Sequence, residues 1–371
     1  MIDLRVSNLA KLIVEYCVNI KKGEEVVISA GIEAIPLVRE LVKEIVQRGA
    51  YPLMINLNDE SITEVFYKYA PTDVLSHVSE IEKQIIEKVP VTISILSPTH
   101  TKPLSSISPE KLKIRSQARK ELTRIFMERS AKGELRWTVA PYPTRALAQE
   151  AGMSISDYED FVFHATYADQ EDPVEVWKSI GRKQQKIADF LSKVSELKYV
   201  GPGIELTLCV DGRKWINDDG HYNMPGGEVF SAPIEDSVEG WVEFDYPAIW
   251  RGVEVEGIRL VFKKGAVVEA YARRGEEFLK KMLEADEGAK RLGEIAFGLN
   301  YNITRFTKEI LFDEKIGGTI HMALGAAYPE TGGRNLSAIH WDMIKDMRKH
   351  KVYADGDLIY ENGYFIEDVI S

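Results

Sequence analysis

The sequence predicts an α/β domain with a mostly parallel sheet over residues 1–197, followed by an α+β, β-rich domain over residues 198–371. Three observations support this fold class. The chain has 371 residues, more than twice the roughly 150 residues of a typical domain. Strand-like and helix-like segments alternate in the first half, which is typical of a parallel sheet covered by helices. From about residue 198, short β-branched runs separated by glycine turns replace this alternation.

The alternation in the first half begins with a strand and a helix. The run EVVISA at 25–30 is rich in β-branched residues, and residues 34–48 then carry apolar side chains at helical spacing. Pro36 near the start of this helix and Gly49 just past its end are typical of helix termini. WTVAPYPT at 137–144 ends a strand or begins a loop because it contains two prolines. The remaining strands are predicted at 51–57 and 91–96, and the helices at 59–68, 77–89, 108–132, 144–151, 155–166 and 173–195.

The second half reads as short strands with one helix, at about 274–286. Glycine turns at 263–265 and 361–363 indicate hairpins. The predicted strands are 205–210, 240–245, 253–262, 266–272, 292–298, 317–324 and 337–344, with a closing hairpin at 357–366.

Composition and charge limit the classes of function. The chain has 47 Lys and Arg against 58 Asp and Glu, and the net charge of −11 argues against binding to nucleic acid or to an anionic membrane. The two cysteines, Cys17 and Cys209, are too few for a disulfide framework or a cysteine metal site. The start of the chain mixes charges among its apolar residues, unlike a signal peptide, and no stretch reaches the ~18 apolar residues of a membrane span. We therefore expect a cytoplasmic protein.

A histidine and a carboxylate stand two residues apart in the predicted strand at 337–344. A strand period of two places His340 and Asp342 on one face, and Trp341 and Met343 on the other. Such a pair can bind one metal ion through nitrogen and oxygen, or form a hydrogen bond that satisfies a partly buried histidine. The spacing alone leaves both interpretations open.

Three further residues of the second half have unusual surroundings. His321 lies in an apolar strand, Glu294 lies among apolar residues, and Glu228 follows a proline and two glycines. The plainer interpretations are a core histidine, an outward-facing strand residue and a solvated turn carboxylate. Together with His340 and Asp342, however, these residues supply three carboxylates and two imidazoles. That set suits two divalent cations.

Several segments in this half resemble one known family. In order and separation they are similar to the signature segments of the aminopeptidase T family of metallopeptidases, M29, across essentially all of residues 201–345. The first half, including RWTVAPYPT at 136–144, resembles the first domain of that family. The resemblance implies an exopeptidase that removes the N-terminal residue of short peptides by means of two metal ions. The segments are NMPGGEVFSAP at 223–233, LGEIAFG at 292–298, HMALGAAYPETGG at 321–333 and NLSAIHWDM at 335–343.

The resemblance also implies site residues, cofactors and partners. It makes Tyr328 an active-site tyrosine near the metal ions. From the chemistry of such sites we predict that the ions and the Tyr328 hydroxyl stabilise the oxyanion, and that Glu228 is a catalytic carboxylate that bridges the ions. The expected cofactors are two divalent ions of zinc, cobalt, manganese or magnesium, and the expected partners are short peptides and a second copy in a homodimer. The implied metal ligands are Glu228, Glu294, His321, His340 and Asp342.

Two alternatives stay open on the sequence alone. Some ring-cleaving dioxygenases that act on hydroxylated pyridines resemble this family, and His321, His340 and Asp342 could form their mononuclear iron site. Such a site does not need Glu228 and Glu294. The other alternative is a non-catalytic protein that binds a small ligand at the strand ends of the α/β domain. That domain lacks the glycine-rich motifs that hold phosphates or dinucleotides.

Overall fold

The computed structural model of the protein describes residues 3–250 and 252–370. The chain forms two compact units. The first unit contains the residues up to Val176 together with Gly220–Pro225, and the second contains Trp177–Asp219 and the residues from Gly226 onward. No helix within the described ranges combines the length and the apolar character needed to cross a membrane.

The first unit contains a four-stranded sheet whose strand pairs all run parallel, as the sequence predicts. The strand order is β2-β1-β3-β4. Its inner strand β1 is mostly buried, since it lies between β2 and β3 and the helix at 35–47 packs against it. The strands are β1 (Glu25–Gly31), β2 (Tyr51–Asn58), β3 (Val91–Leu96) and β4 (Arg136–Pro141).

Helices connect these strands close to the predicted positions, with two differences. The short helix α4 (Thr72–Ser76) has no predicted counterpart. The single helical stretch predicted at 108–132 is two helices, α6 and α7, that meet at Arg119. The break lets α6 pack against α4 and α7 against α5. The helices up to residue 191 are α1 (Leu4–Leu12), α2 (Ile35–Gln47), α3 (Glu60–Tyr69), α4 (Thr72–Ser76), α5 (Glu80–Lys88), α6 (Pro109–Ala118), α7 (Lys120–Ala131), α8 (Arg145–Glu150), α9 (Ile155–Ala165) and α10 (Pro173–Leu191).

The second unit is rich in antiparallel strands, and its helices are short after α10. Within the described ranges the strands are β5 (Glu196–Gly201), β6 (Ile204–Cys209), β7 (Ile216–Asp218), β8 (Glu228–Ser231), β9 (Glu239–Glu243), β10 (Ala248–Trp250), β11 (Val253–Lys263), β12 (Ala266–Arg274), β13 (Leu292–Gly298), β14 (Thr319–Gly325), β15 (His340–Asp346), β16 (Lys351–Ala354), β17 (Asp357–Glu361) and β18 (Tyr364–Phe365). The later helices are α11 (Glu276–Leu283), α12 (Ile310–Asp313) and α13 (Glu367–Ile370).

These strands form a large and a small sheet that share one hydrophobic core. The large sheet has the order β10-β11-β9-β6-β5-β16-β17-β18, with β12 paired to β11, and the small sheet has the order β15-β14-β13-β8-β7. Leu206 and Leu260 of the large sheet are buried in the same cluster as Phe297, Met322 and Trp341 of the small sheet. The architecture agrees with the predicted fold class, a parallel α/β half followed by a β-rich half.

Helix α10 contributes to the core of the second unit, since Ile187, Ala188 and Leu191 are buried in it. The sequence places this helix before the domain boundary at 197, whereas the compact units divide near residue 176. Residue 197 stays a prediction for the boundary between two independently folding domains.

Strand β15 begins at His340, three positions later than the sequence predicts. The carboxylate of Asp286 accepts hydrogen bonds from the Ser337 hydroxyl at 3.0 Å and from the backbone N–H of Ala338 at 2.7 Å. These bonds hold residues 337–339 in a loop and set where the strand starts.

Candidate metal centre

One face of the small sheet carries the five residues predicted to bind metal. Asp342 on β15 and Glu294 on β13 pair with Ala323 of β14, so the two carboxylates flank one small side chain. His321 lies two residues before Ala323 and therefore on the same face of β14. Glu228 is the first residue of β8, the neighbour of β13. The structure therefore brings residues far apart in sequence onto one surface.

The predicted alternation around His340 is present in β15. Trp341 and Met343 are each 1% exposed and belong to the core between the two sheets. His340 and Asp342 are partly exposed on the opposite face, and His340 Nε2 lies 3.6 Å from Asp342 Oδ1. The strand geometry on which their pairing depends is confirmed.

Glu294, His340 and Asp342 form one group of candidate ligands. Their ligand atoms all lie within 4.8 Å of one another. His340 Nε2 is 2.9 Å from Glu294 Oε2, and Glu294 is only 4% exposed. Two carboxylates and one imidazole at these distances are a suitable donor set for a divalent ion.

A second group contains Glu228, His321 and Glu314, with its ligand atoms also within 4.8 Å of one another. His321 Nε2 lies 3.6 Å from Glu228 Oε2 and 3.7 Å from Glu294 Oε1. His321 therefore links this group to the first one. All five predicted ligands belong to one continuous cluster.

The sequence interpretation missed Glu314, Lys315 and Asp218. Lys315 is fully buried, with Nζ 3.5 Å from Glu228 Oε1, 3.6 Å from Asp218 Oδ2, and in an ion pair with Glu314. In the sequence, Asp313, Glu314 and Lys315 look like a short solvated charge run. One feature of the sequence could have indicated burial of this run, namely its apolar neighbours, ILF before it and IGG after it.

Each histidine is oriented by a backbone carbonyl. His321 Nδ1 lies 3.0 Å from the carbonyl oxygen of Glu314, and His340 Nδ1 lies 2.8 Å from that of Ala326. An N–H at Nδ1 donates to each carbonyl, which leaves Nε2 facing the carboxylates. Since carboxylates and a neutral Nε2 are all acceptors, either a proton or a metal ion has to lie between them.

The pKa values of these residues reflect this arrangement. Burial opposes the charged form of Glu294, but hydrogen bonds from the two histidines outweigh it and bring its pKa to about 2. Burial likewise disfavours charged imidazoles, yet the neighbouring carboxylates raise the pKa of His321 to about 10 and of His340 to about 11. Burial raises the pKa of Glu228 well above its usual value, and Lys315 only partly offsets this.

Two further observations fit a site for cations. Glu228 Oε2 and Asp342 Oδ1 are buried and have no hydrogen-bond partner among the described residues. When both imidazoles are deprotonated, as ligands of a metal ion are, five carboxylates face one ammonium, which leaves four negative charges uncompensated. Two divalent cations carry the same number of positive charges. Buried charge of this density is costly without such ions.

Tyr328 lies beside the cluster. Its ring meets the ring of His340 edge-on, with centroids 4.9 Å apart, and contacts Phe230 at 5.6 Å. Partial burial and the nearby carboxylates raise the pKa of its hydroxyl above the usual value, so the phenol keeps its proton at neutral pH. The Thr331 hydroxyl donates to the Tyr328 carbonyl at 2.6 Å and holds the turn that follows.

Comparisons with known proteins agree with this arrangement. The family model described as thermophilic metalloprotease (M29) matches residues 2–365. Aminopeptidase 2 of Geobacillus stearothermophilus is 28% identical, over 95% of this chain and 97% of its own length. Aminopeptidase T of Thermus thermophilus is also 28% identical, over 96% of this chain and 94% of its own length. The solved structure of wild-type AmpT from Thermus thermophilus superimposes with a TM-score of 0.84 at 26% identity, covering 98% of this chain and 99% of that one. The chain therefore belongs to the M29 family of thermophilic metalloproteases.

Proposed function

We propose that this protein is a metal-dependent aminopeptidase that removes the N-terminal residue of short peptides. The observation that carries the proposal is the pair of adjacent ligand groups on one sheet face, in a chain of a metalloprotease family. The relatives named aminopeptidases support the peptide substrate. The presence of both Glu228 and Glu294 in the cluster favours this reaction over a mononuclear iron dioxygenase, which would not need them.

Two divalent ions of zinc, cobalt, manganese or magnesium fit the donor set. The first would be held by Glu228, Glu314 and His321, and the second by Glu294, His340 and Asp342. When bound, such ions lower the pKa of a water molecule and polarise a carbonyl group.

Glu294 is the best-placed carboxylate to bridge the two groups. Its Oε1 lies 3.7 Å from His321 Nε2, and its Oε2 lies 2.9 Å from His340 Nε2. The sequence interpretation gives the bridging role to Glu228. Among the candidate ligands, Glu228 forms its ion-pair contact with His321, which belongs to the same ligand group as Glu228. We therefore assign the bridging role to Glu294 and a terminal ligand role to Glu228.

The remaining residues act on the substrate and on the ligands. Tyr328 retains its phenolic proton and would donate a hydrogen bond to the carbonyl oxygen as negative charge develops there. Lys315 holds Glu228 and Glu314 in place through its buried ammonium. In the overall reaction, hydroxide adds to the carbonyl carbon, a proton goes to the leaving amine, and the products are an amino acid and a shortened peptide.

The test is hydrolysis of aminoacyl chromogenic substrates by metal-free protein supplied with zinc, cobalt, manganese or magnesium. We expect activity to return with at least one metal and elemental analysis to give two ions per chain. Absence of hydrolysis with every metal would refute the aminopeptidase. One iron per chain, with cleavage of a hydroxypyridine ring, would support the dioxygenase instead.

We also propose a cytoplasmic homodimer. Tyr51, Leu53, Ile55 and Leu57 alternate along edge strand β2 and are all exposed, from 42% to 62%, which is a large apolar surface for a free edge. A second copy that covers this strand would remove it from water. Light scattering that gives the mass of a single chain at micromolar concentration would contradict the homodimer.

A further inference from the structure

A cavity of about 310 Å³ in the second unit adjoins the group formed by Glu294, His340 and Asp342. His340 and Asp342 form part of its wall. About half of the wall is apolar, with Ile249, Phe306 and Ile344 among its residues, and the rest is polar. A molecule held at the candidate metal centre therefore has a partly apolar cavity directly beside it.

The charged residues on the wall already have partners inside the protein. Lys308 Nζ pairs with Glu254 Oε1 at 2.9 Å. Asp313 Oδ1 accepts hydrogen bonds from the backbone N–H and the hydroxyl of Thr307, at 2.7 and 2.9 Å. The carboxylate of Glu309 caps α12 by accepting from the backbone N–H of Leu311 at 3.4 Å. A charged group that entered the cavity would lose water while the nearest opposite charges are already engaged, which is costly.

We propose that this cavity receives the side chain of the substrate's N-terminal residue and makes the enzyme selective for leucine, methionine and phenylalanine. The proposal rests on the aminopeptidase function. In an N-terminal residue the side chain is attached to the carbon next to the scissile carbonyl. A carbonyl positioned beside the group formed by Glu294, His340 and Asp342 would therefore place that side chain next to the cavity. The cavity volume is at the lower end of the range of small-molecule pockets, which suits one side chain and not a longer segment.

Ile249 offers the most direct test, because it lies on the edge strand β10 and lines the cavity. Ile249→Trp should fill part of the space, and Ile249→Ala should enlarge it. Val268→Trp is the matched control, since Val268 is 55% exposed on β12 and is not among the residues that line the cavity. Circular dichroism and thermal melts verify that each variant folds.

The readout is the ratio of kcat/KM values for leucyl and alanyl substrates, together with phenylalanyl, lysyl and glutamyl substrates. The wild-type protein should prefer leucyl and phenylalanyl substrates, because each methylene buried in such a pocket changes selectivity by about tenfold or more. Ile249→Trp should lower the leucyl-to-alanyl ratio by about tenfold, and Ile249→Ala should shift preference from leucyl toward phenylalanyl substrates. Val268→Trp should keep the wild-type ratio.

An unchanged ratio in both folded Ile249 variants, or a wild-type preference for lysyl or glutamyl substrates, would overturn the cavity assignment while leaving the aminopeptidase intact. If Ile249→Trp does not fold, Ile249→Ala decides alone. If the wild-type protein hydrolyses none of the substrates, the proposed function fails. Calorimetry with L-leucine and L-alanine then tests the cavity separately. If L-leucine binds more tightly than L-alanine, and this difference becomes smaller in the Ile249 variants, the cavity assignment is supported. Equal binding of the two amino acids refutes it.

Discussion

Trp341 and Asp342 are neighbours in β15, and substitutions of the two should fail in different ways. Trp341 is 1% exposed and packs edge-on against Phe278 and Trp250, with ring centroids 6.0 and 6.5 Å away. Asp342 lies on the opposite face in the candidate metal centre. Trp341→Ala should therefore affect stability, and Asp342→Asn should affect metal binding and activity.

The size of the Trp341→Ala effect follows from burial. Its indole nitrogen has no hydrogen-bond partner among the described residues, so the substitution removes packing without breaking a hydrogen bond. Replacing a fully buried tryptophan by alanine costs about 3–5 kcal/mol, from the lost transfer free energy and the cavity that remains. For a unit of this size, that corresponds to a decrease in Tm on the order of 10 °C.

Asp342→Asn is nearly isosteric and leaves the core unchanged, so its Tm without metal should stay close to that of the wild-type protein. It removes one ligand charge, and metal content and hydrolysis should fall together. Asp346→Asn is the matched control because Asp346 lies on the same strand but pairs with Arg348 at 2.9 Å, outside both ligand groups.

Thermal melts with elemental analysis distinguish the two effects. Trp341→Ala should retain near-normal metal content at temperatures where it is folded. If both variants unfold, or if both remain stable and lose only metal, then the two faces of β15 do not have the separate roles described here.

Three further substitutions test individual residues. Glu228→Ala should abolish hydrolysis and lower metal content, because it removes a ligand and leaves the buried ammonium of Lys315 with one partner fewer; normal turnover would contradict the ligand role. Glu294→Gln keeps the side-chain volume but removes the charge. Elemental analysis should therefore show a clear loss of bound metal, whereas the Tm should change little. Normal metal content with a lower Tm would make Glu294 a structural residue. Asp286→Asn tests the pH dependence of stability. The pKa of Asp286 lies below its usual value because its carboxylate accepts hydrogen bonds, of which the one from the Ala338 N–H contributes most. This stabilisation is present above the pKa that Asp286 has in the unfolded chain and is lost as the pH falls through its lower pKa in the folded protein. The free energies of unfolding of the wild-type protein and of Asp286→Asn, measured in urea, should therefore converge below about pH 4. A difference that stays constant with pH would refute this role.

Long periodic segments of this chain are predictable from sequence. The strands predicted at 91–96 and 292–298 have the same limits as β3 and β13, and β11 differs from its prediction by one residue. Each of these strands has enough residues for its hydrophobic pattern to specify both the element and its buried face. Strands β7, β8 and β10 contain only three or four residues, too few for any period to be visible, and the sequence does not predict them.

The residue types of the site were also accessible from sequence, because a carboxylate or an imidazole in apolar surroundings has to be compensated. This reasoning finds Glu294 and His321 individually, and the period of a strand finds the pairing of His340 with Asp342. The family resemblance then joins them into one set. None of these arguments gives a distance between residues on different strands.

The sequence by itself therefore determined the order of the longer elements, the buried faces of the longer strands and the chemistry of the candidate ligands, since these depend on local spacing and on the cost of burying charge. Only the tertiary structure decided which residues meet. Sheet register places Glu294 and Asp342 on either side of Ala323. Folding of the segment after α12 buries Lys315 in contact with both Glu228 and Glu314, although Asp313–Lys315 look in sequence like an exposed charge run. The physical reason is that charge compensation in this site acts between strands and loops that are distant in sequence, and a pattern within one segment cannot encode it.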